Sequence, residues 1–457
     1  MSASTTISVS RARRQVLPSR KIVQITMLAS AFLLPSLSWQ QAAGAALLAV
    51  LFNVALLPKL DPDLRKRRDA GAVIDNVADV GTGILLYPVS VLLLILIYRH
   101  HLEVAAAAWA IMALGDSAAG LIGEAMPGPR LPWNPGKTWT GFTAFVLAGA
   151  AGASVLLVWV QPSLASGKAI IVSVLSALLG AAVESAPIRL DDNLTVPLMC
   201  SGFIFCALLT TSAGVRSNLP YLGRRLLLAA AVNLTFALLA LRLKTASRSG
   251  AALGLALGMM VYLGWGWRSF LILFSFFAAG SLATRLGYSR KAERGIAEGE
   301  GGARSWREAL ANVGPGAFFA LLVIITPQEH AFLVAFVAAF AEAAGDTVSS
   351  EIGQWLSPRA YLIPSFRAVP AGENGGVSLA GSVAGLAASG LIATLGWLLG
   401  LTGSGGAGIA FAAAIAGNLL DSLMGATLER RGLVTNGIVN FAGTVFAGAL
   451  ALALTIR

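Results

Sequence analysis

The sequence has few of the residues on which metal centres and soluble enzymes usually depend. It holds two cysteines and three histidines in 457 residues, and only 12% of its residues are charged. Cys200 and Cys206 share one apolar run without the spacing or histidine companions of a metal site, so we expect both to face lipid or the core. His100, His101 and His330 end apolar runs, which suits an interfacial position. The scarcity of charge excludes an ordinary soluble domain.

Long apolar runs take the place of charge. Hydrophobic residues make up 56% of the chain, and its mean hydropathy of +0.75 is typical of a polytopic membrane protein. Residues 1–21 form a basic tail that leads into an apolar run without an Ala-x-Ala-like cleavage site, so we keep that run as a span. Runs of about 17 to 24 residues are long enough to cross the hydrocarbon core as helices. The predicted spans are residues 22–38, 41–57, 80–98, 103–123, 140–160, 168–186, 196–213, 225–241, 250–264, 267–285, 309–326, 331–353, 376–400, 407–427 and 437–455.

The basic residues are distributed unevenly about these spans. With the N-terminus inside, 26 of the 33 Lys and Arg residues fall on the cytoplasmic side and 7 outside. Cytoplasmic loops of membrane proteins carry such an excess of Lys and Arg. The sequence therefore predicts an all-α polytopic membrane protein with about 15 transmembrane helices and a cytoplasmic N-terminus. The same asymmetry explains the net charge of +11 without any nucleic acid partner.

One short pattern occurs twice, 230 residues apart. Residues 115–123 and 345–353 both read Gly-Asp-Ser/Thr-x-Ala/Ser-x-x-Ile-Gly, near the cytoplasmic ends of the fourth and twelfth predicted spans. Two spans after the first comes Glu184, and two spans after the second comes Asp421. Because an offset of eight spans is even, the halves are predicted to be two parallel repeats, a plan common in membrane enzymes and transporters.

Packing and function are both possible explanations of this pattern. Small residues four apart, such as Gly115, Ala119 and Gly123, let helices approach closely. Packing explains the glycines, but it leaves Asp116 and Asp346 unexplained, because an intramembrane carboxylate is costly unless it has partners. We therefore expect the aspartates to be functional.

A polar loop follows the first Gly-Asp motif. Residues 131–141 read Leu-Pro-Trp-Asn-Pro-Gly-Lys-Thr-Trp-Thr-Gly and bring Asn134 and Lys137 to the start of a helix. Free N–H groups at a helix N-terminus and a nearby ammonium can hold phosphate. The spacing is not that of a Walker A loop, so this loop indicates phosphate binding only if an acidic residue lies nearby.

Such acids stand on the same predicted membrane face. Asp192 and Asn193 follow Glu184 after a short loop. Together with Asp116, they could bind Mg²⁺ through one or two carboxylates and the phosphates of a nucleotide.

The second half repeats this plan with different cations. Residues 363–378, which include Asn374, again lead into a helix with glycines but hold no counterpart of Lys137. Arg359 and Arg367 could supply the positive charge, and Arg suits bidentate contacts to phosphate.

Two further stretches bear on the organisation of the chain. The segment from Arg285 to Arg307 is rich in charge and glycine, so we expect it to be mobile. The stretch from Thr211 to Arg225, with Gly214, Pro220 and Gly223, is the predicted boundary between the halves.

These motifs resemble those of membrane prenol kinases. The first half, predicted as a domain of residues 22–213, resembles the phytol kinase and dolichol kinase family, which is distantly related to the phosphatidate cytidylyltransferases. The segments that carry this resemblance are residues 114–116, 131–141, 183–185 and 192–197. The second half, residues 222–457, resembles phytyl-phosphate kinases. Its matching segments are residues 346–347, 351–353, 375–378 and 421–428, with Asn436.

The resemblance implies a fusion of two successive kinases with cytoplasmic active sites. The substrates would be an isoprenoid alcohol and its monophosphate, with CTP or a similar nucleotide as phosphoryl donor and Mg²⁺ as cofactor. The roles assigned to the first site are Mg²⁺–nucleotide binding for Asp116, Asp192 and Asn193, phosphate binding for Lys137 and Asn134, and metal binding or proton acceptance for Glu184. Those assigned to the second site are metal or nucleotide binding for Asp346, Glu351 and Asp421, orientation for Asn374 and Asn436, and substrate phosphate binding for Arg367.

Two other functions remain open at this stage. A transporter or flippase of isoprenoid phosphates would also have parallel repeats and intramembrane acids, but nearer the bilayer centre. A cytidylyltransferase would use the same substrates to form a CDP-lipid and release pyrophosphate. Nucleotide-dependent product formation in detergent and the identity of the released nucleotide product would separate these functions.

Overall fold

The computed structural model describes residues 24–56, 80–126, 128–297 and 303–456, without the side chains of residues 80–84. The predicted basic tail and the glycine-rich run 298–302 lie outside these ranges. Most of the described chain is helical, and 11 of its helices are long and apolar enough to cross a membrane. The predicted all-α polytopic class is therefore confirmed. The chain divides into two compact units, Met1–Leu208 and Leu209–Arg457.

In the first unit, a hairpin of two strands interrupts a series of helices. Its elements are α1 Gln24–Ser36, α2 Trp39–Leu56, α3 Val80–Ile97, α4 Leu102–Ala125, β1 Arg130–Leu131, β2 Asn134–Thr138, α5 Trp139–Val160, α6 Ser166–Ser185 and α7 Asp192–Leu208. The two strands pair antiparallel. Helix α4 is buried without a break from Val104 to Ala113, because its run of alanines lets the neighbouring helices approach on every side.

The second unit also has strands between a series of helices and three further helices, and it has its own central helix. Its elements are α8 Ser212–Arg242, α9 Arg248–Trp265, α10 Trp267–Arg285, α11 Tyr288–Glu293, α12 Trp306–Ile325, α13 Glu329–Leu356, β3 Arg359–Leu362, β4 Ala368–Pro370, β5 Gly376–Val377, α14 Leu379–Leu398, α15 Ser404–Glu429 and α16 Asn436–Thr455. Strand β3 lies between β4 and β5 in an antiparallel sheet. Helix α13 is fully buried from Ala331 to Gly345, and α12, α14, α15 and α16 pack around it.

Each of the fifteen predicted spans coincides with a helix. Eleven of those helices meet the length and hydropathy of a span, three are shorter apolar helices, and α9 is the remaining one. The number of true crossings and the cytoplasmic position of the N-terminus stay predictions.

The stretch predicted to separate the halves is helical. The division between the units falls at Leu208, and residues 212–225 form the first part of α8. The Thr211 hydroxyl caps this helix by accepting a hydrogen bond from the Gly214 N–H at 3.1 Å. Pro220 lies inside the helix, and the nearby Asn218 side chain donates to the Ile324 carbonyl of α12 at 2.7 Å. Long membrane helices tolerate an internal proline when neighbouring groups satisfy the backbone.

The expectation that residues 285–307 are mobile is wrong for the described part of that segment. Helix α11 lies within it, and its Lys291 side chain is fully buried. A carboxylate in α13 partners this lysine, which explains how a charged segment can be packed.

Glycines allow the motif helices to pack closely on the helices that follow. In the first unit, a Cβ on Gly141 would lie 3.1 Å from the Ala119 carbonyl oxygen. In the second unit, a Cβ on Gly381 would lie 2.5 Å from the Ser349 carbonyl oxygen. The packing explanation of the small residues is therefore correct, and it leaves the aspartates to be explained separately.

The start of the following helix is also the same in both units. The Thr138 hydroxyl accepts a hydrogen bond from the Gly141 N–H at 3.2 Å, and the Ser378 hydroxyl accepts one from the Gly381 N–H at 3.2 Å. Each cap therefore fixes the start of the helix that follows the strands. The repeat seen in the sequence thus extends to local structure.

The close contact of α13 with α14 gives a stability prediction. A Cβ on Gly385 would lie 2.8 Å from both the Gly345 carbonyl oxygen and the Ser349 Cβ, so Gly385→Ala should lower the free energy of unfolding by about 1–3 kcal/mol. Gly390→Ala in the same helix is the control, because the nearest atom there is at 3.5 Å. Thermal denaturation of the purified protein in detergent measures both. Equal melting temperatures for the two variants would contradict the close contact.

Candidate functional site

The first unit contains a polar cavity of about 380 Å³, which we call the first cavity. Asp116 from α4, Lys137 from β2, Glu184 from α6, and Asp192 and Asn193 from α7 all line it. Five of the six residues predicted for this site therefore come together from four separate elements. The sixth, Asn134, lies beside the cavity in the hairpin.

Lys137 is the cation of the first cavity. Its Nζ donates a hydrogen bond to Glu184 Oε1, and the Glu184 side chain is only 6% exposed. Burial by itself would lower the pKa of Lys137, but attraction to Glu184 and, more weakly, to Asp192 and Asp116 raises it above the ordinary value. Because a raised pKa keeps a lysine protonated, Lys137 carries its charge at neutral pH.

Asn134 holds the hairpin in place. Its Oδ1 accepts a hydrogen bond from the Gly136 N–H at 3.1 Å, and its Nδ2 donates to the Ser185 carbonyl at 3.1 Å. The Trp133 indole also donates to the Ser185 hydroxyl, at 3.2 Å. The structure thus gives Asn134 a positioning contact, which fixes the strand that carries Lys137 against the end of α6.

Two residues around Asn193 were not predicted. Asp191 Oδ1 accepts hydrogen bonds from the backbone N–H of Asn193 at 2.9 Å and from its Nδ2 at 2.7 Å. Gln24 from α1 donates to Asn193 Oδ1 at 3.1 Å, and its own Oε1 is buried without a protein partner. The sequence signal for Gln24 was a lone amide in the first apolar run.

The second unit has a larger polar cavity, of about 480 Å³, which we call the second cavity. Asp346, Glu351, Asn374, Asp421 and Asn436 all line it, as predicted for one site. The sixth predicted residue does not line the second cavity. Arg367 lies exposed on the turn between β3 and β4 and is not among the lining residues.

A different arginine lines the second cavity. Arg304, just before α12, donates from Nη1 to Glu308 Oε1 at 3.3 Å and from Nη2 to the Thr284 hydroxyl at 3.3 Å. It lies in the segment predicted to be mobile, and no sequence pattern distinguished it from the other arginines there. The structure makes it the arginine that shares this cavity with Asp346.

Glu351 is held by protein donors on both oxygens. Its Oε1 accepts a hydrogen bond from the Thr284 hydroxyl at 2.6 Å, and its Oε2 pairs with Lys291 Nζ at 2.5 Å. The two charged side chains are 6% and 0% exposed. Lys291 is therefore the buried lysine of the second unit, and this pair fixes α11 to α13.

Glu342 is a functional candidate that the sequence reading missed. It is 1% exposed and stands four residues before Asp346, on the same face of α13. Its Oε2 accepts a hydrogen bond from the Thr444 hydroxyl at 2.7 Å, and its Oε1 is buried without a protein partner. In the first unit, Met112 stands four residues before Asp116. The spacing of two acids four apart in an apolar run was the available signal.

The second unit has unpaired acceptor atoms suited to a hard cation. Glu342 Oε1, Asp421 Oδ2 and Asn440 Oδ1 are buried without protein partners. Within the described residues, no group of three or more His, Cys, Asp or Glu side chains could by itself hold a metal ion. Oxygen donors from one or two carboxylates, completed by substrate phosphates, fit Mg²⁺ better than a metal cage made only of protein ligands.

Comparison with known proteins relates the chain to a family of membrane proteins. The family model described as "Integral membrane protein DUF92" matches residues 231–449, which lie in the second unit. An uncharacterized membrane protein of Synechocystis is 33% identical over 201 residues, which cover 43% of this chain and 78% of that protein. Protein VTE6, chloroplastic, of Arabidopsis thaliana is also 33% identical over 201 residues, 42% of this chain and 60% of that protein.

Other relatives bear a kinase name. Probable phytol kinase 3, chloroplastic, of Glycine max is 34% identical over 122 residues, which cover 25% of this chain and 38% of that protein. The chain thus spans well under half of that relative. No solved structure matches the chain.

The buried pair of the second unit leads to a stability prediction. Lys291→Met leaves the Glu351 carboxylate buried and unpaired, so it should lower the free energy of unfolding by about 3–5 kcal/mol. Adding Glu351→Gln to that variant should recover much of the loss, since no charge is then left unpaired. Denaturation in detergent compares these variants with Arg290→Met, which removes an exposed neighbouring cation. A loss no greater than that of the control would show that the pair is not needed.

Proposed function

The chain belongs to the DUF92 family of integral membrane proteins, and we propose that it is a kinase of membrane-dissolved isoprenoid alcohols. The first unit makes the monophosphate, and the second unit converts it to the diphosphate. The proposed acceptor is a prenol such as phytol or geranylgeraniol, and the proposed donor is CTP or a similar nucleoside triphosphate. Similarity to proteins named probable phytol kinase supports the kinase class.

One observation carries this proposal. Each unit has a cavity in which a carboxylate of an apolar helix shares the space with a cation and a hairpin: Asp116 with Lys137, and Asp346 with Arg304. Phosphoryl transfer requires little covalent chemistry from the protein, but it requires charged groups in fixed positions. Two such cavities in one chain support two successive transfers.

In the first transfer, the alcohol oxygen attacks the γ-phosphorus of the nucleotide. The bond between that phosphorus and the β–γ bridging oxygen breaks, and the nucleoside diphosphate leaves. The alcohol proton passes to a carboxylate of the cavity, Asp116 or Glu184. Lys137 binds the phosphates in the position that Glu184 and the hairpin give it. Exposed Leu121 and Ile122 beside the cavity suit entry of the alcohol from lipid.

Carboxylates and amides bordering each cavity would hold a magnesium ion with the nucleotide. In the first cavity these are Asp116, Asp192 and Asn193, and in the second they are Asp346 and Asp421, with Glu342 behind them. When bound, Mg²⁺ would supply positive charge that offsets part of the negative charge of the phosphates.

In the second transfer, an oxygen of the monophosphate attacks the γ-phosphorus of another nucleotide, the bond to the β–γ bridging oxygen breaks, and the nucleoside diphosphate leaves. The acceptor carries negative charge, so a guanidinium suits it, and we assign this role to Arg304 instead of Arg367. Asn374 and Asn436, which line the second cavity, orient the phosphates. Glu351 is paired with Lys291, so we assign it to holding the end of α13.

Variants of the two motif aspartates test the order of reactions. With phytol and labelled CTP, purified Asp116→Asn should form no phosphorylated product, because the first transfer fails. Asp346→Asn should accumulate the monophosphate, because only the second transfer fails. We expect each loss to be about a hundredfold or more, as for removal of one positioned catalytic group. Thin-layer chromatography or mass spectrometry of the lipids measures the products.

The control is Glu293→Gln, which removes an exposed acid of α11 and should leave both products unchanged. Supplying the monophosphate to Asp116→Asn should restore diphosphate formation. Diphosphate made from phytol by both aspartate variants would refute the assignment of one transfer to each unit.

A further inference from the structure

The second unit also contains an apolar cavity, which adjoins the polar second cavity. On the basis of the proposed function, we propose that it binds the isoprenoid chain of the monophosphate while the phosphate lies beside Arg304. This apolar cavity is the subsite that sets which chain lengths receive the second phosphate.

Aromatic side chains form much of this apolar cavity, whose volume is about 130 Å³. Phe236 of α8 meets Phe270 and Phe274 of α10 with ring centroids 5.0 and 5.1 Å apart. Phe277 of α10 and Leu255 of α9 are also among the apolar residues that line it. Concave apolar and aromatic surfaces of this kind suit a branched hydrocarbon.

The apolar cavity and the second cavity share part of their lining. Arg304, Glu308 and Asn312 line both of them. One molecule with an apolar chain and an anionic head can therefore fill both, with its head at Arg304. A prenyl monophosphate has this order of parts, and its charge complements the guanidinium.

Gly254 on α9 keeps the apolar cavity open. It lines the cavity, and a Cβ built on it meets no atom within 4 Å. A leucine at this position would therefore extend into the cavity without a clash at its first atom. This makes Gly254→Leu a variant that blocks the chain and leaves the polar residues unchanged.

The test compares acceptor monophosphates of different chain length. Gly254→Leu should lower kcat/KM for a C20 prenyl monophosphate by about tenfold or more, because the chain loses its pocket. For a C5 prenyl monophosphate, which needs little of the pocket, kcat/KM should stay within about twofold of the unaltered protein. Gly223→Leu in α8 is the matched control, because a Cβ there also meets nothing within 4 Å and Gly223 does not line the cavity. An unchanged C20 value, or equal losses for both chain lengths, would overturn the proposal.

Photo-crosslinking gives a readout that needs no turnover. A C20 monophosphate with a terminal diazirine should label peptides of α8 and α10 in the full chain, and Gly254→Leu should reduce that labelling. Unlabelled C20 monophosphate should compete, whereas phosphatidic acid at the same concentration should not. Competition by phosphatidic acid, or labelling outside these helices, would assign the cavity to an ordinary lipid.

The two experiments also separate this inference from the proposed function. If the unaltered protein labels at α8 and α10 but forms no diphosphate, the chain-binding site stands and the kinase assignment fails. If the unaltered protein forms diphosphate, and Gly254→Leu has the same dependence of kcat/KM on chain length as the unaltered protein, the kinase assignment stands and the chain-binding site fails.

Discussion

The structure depends on partners that other parts of the chain supply to three buried carboxylates of its apolar helices. An unpaired charge at such a position would cost several kcal/mol. Glu184 receives Lys137 from the hairpin, and Glu351 receives Lys291 from α11. Glu342 receives the Thr444 hydroxyl from α16. Because these partners come from loops and distant helices, satisfying the acids also assembles the walls of the cavities.

Close packing through glycine sets where those acids stand. Gly141 and Gly381 bring the helix after each hairpin against the helix that carries the motif aspartate. The units then differ where their proposed acceptors differ. Met112 in the first unit corresponds in position to Glu342 in the second. Lys137 from the hairpin lines the first cavity, whereas Arg304 from a different part of the unit lines the second. An alcohol and a charged monophosphate call for different surroundings, so this divergence is consistent with two successive acceptors.

Much of the fold and of both candidate sites could be predicted from the sequence, because apolar runs mark helices and an acid inside such a run is conspicuous. Asp116 with Lys137, and Asp346 with Asp421, indeed line common cavities. Lys291 and Arg304 could not be predicted, since a charged, glycine-rich segment resembles solvated chain until its partners are known. Glu342 was missed because its only signal was spacing. Pro220 indicated a break, but packing of α8 against α12 keeps that stretch helical.

Product analysis of the unaltered protein is the most direct test of the central claim. Purified protein in detergent should be given phytol, labelled CTP and Mg²⁺, and its lipid and nucleotide products followed over time by mass spectrometry. The account predicts monophosphate first and diphosphate later, with one CDP released for each phosphate transferred. A CDP-lipid with release of pyrophosphate, or no nucleotide-dependent lipid product, would contradict it.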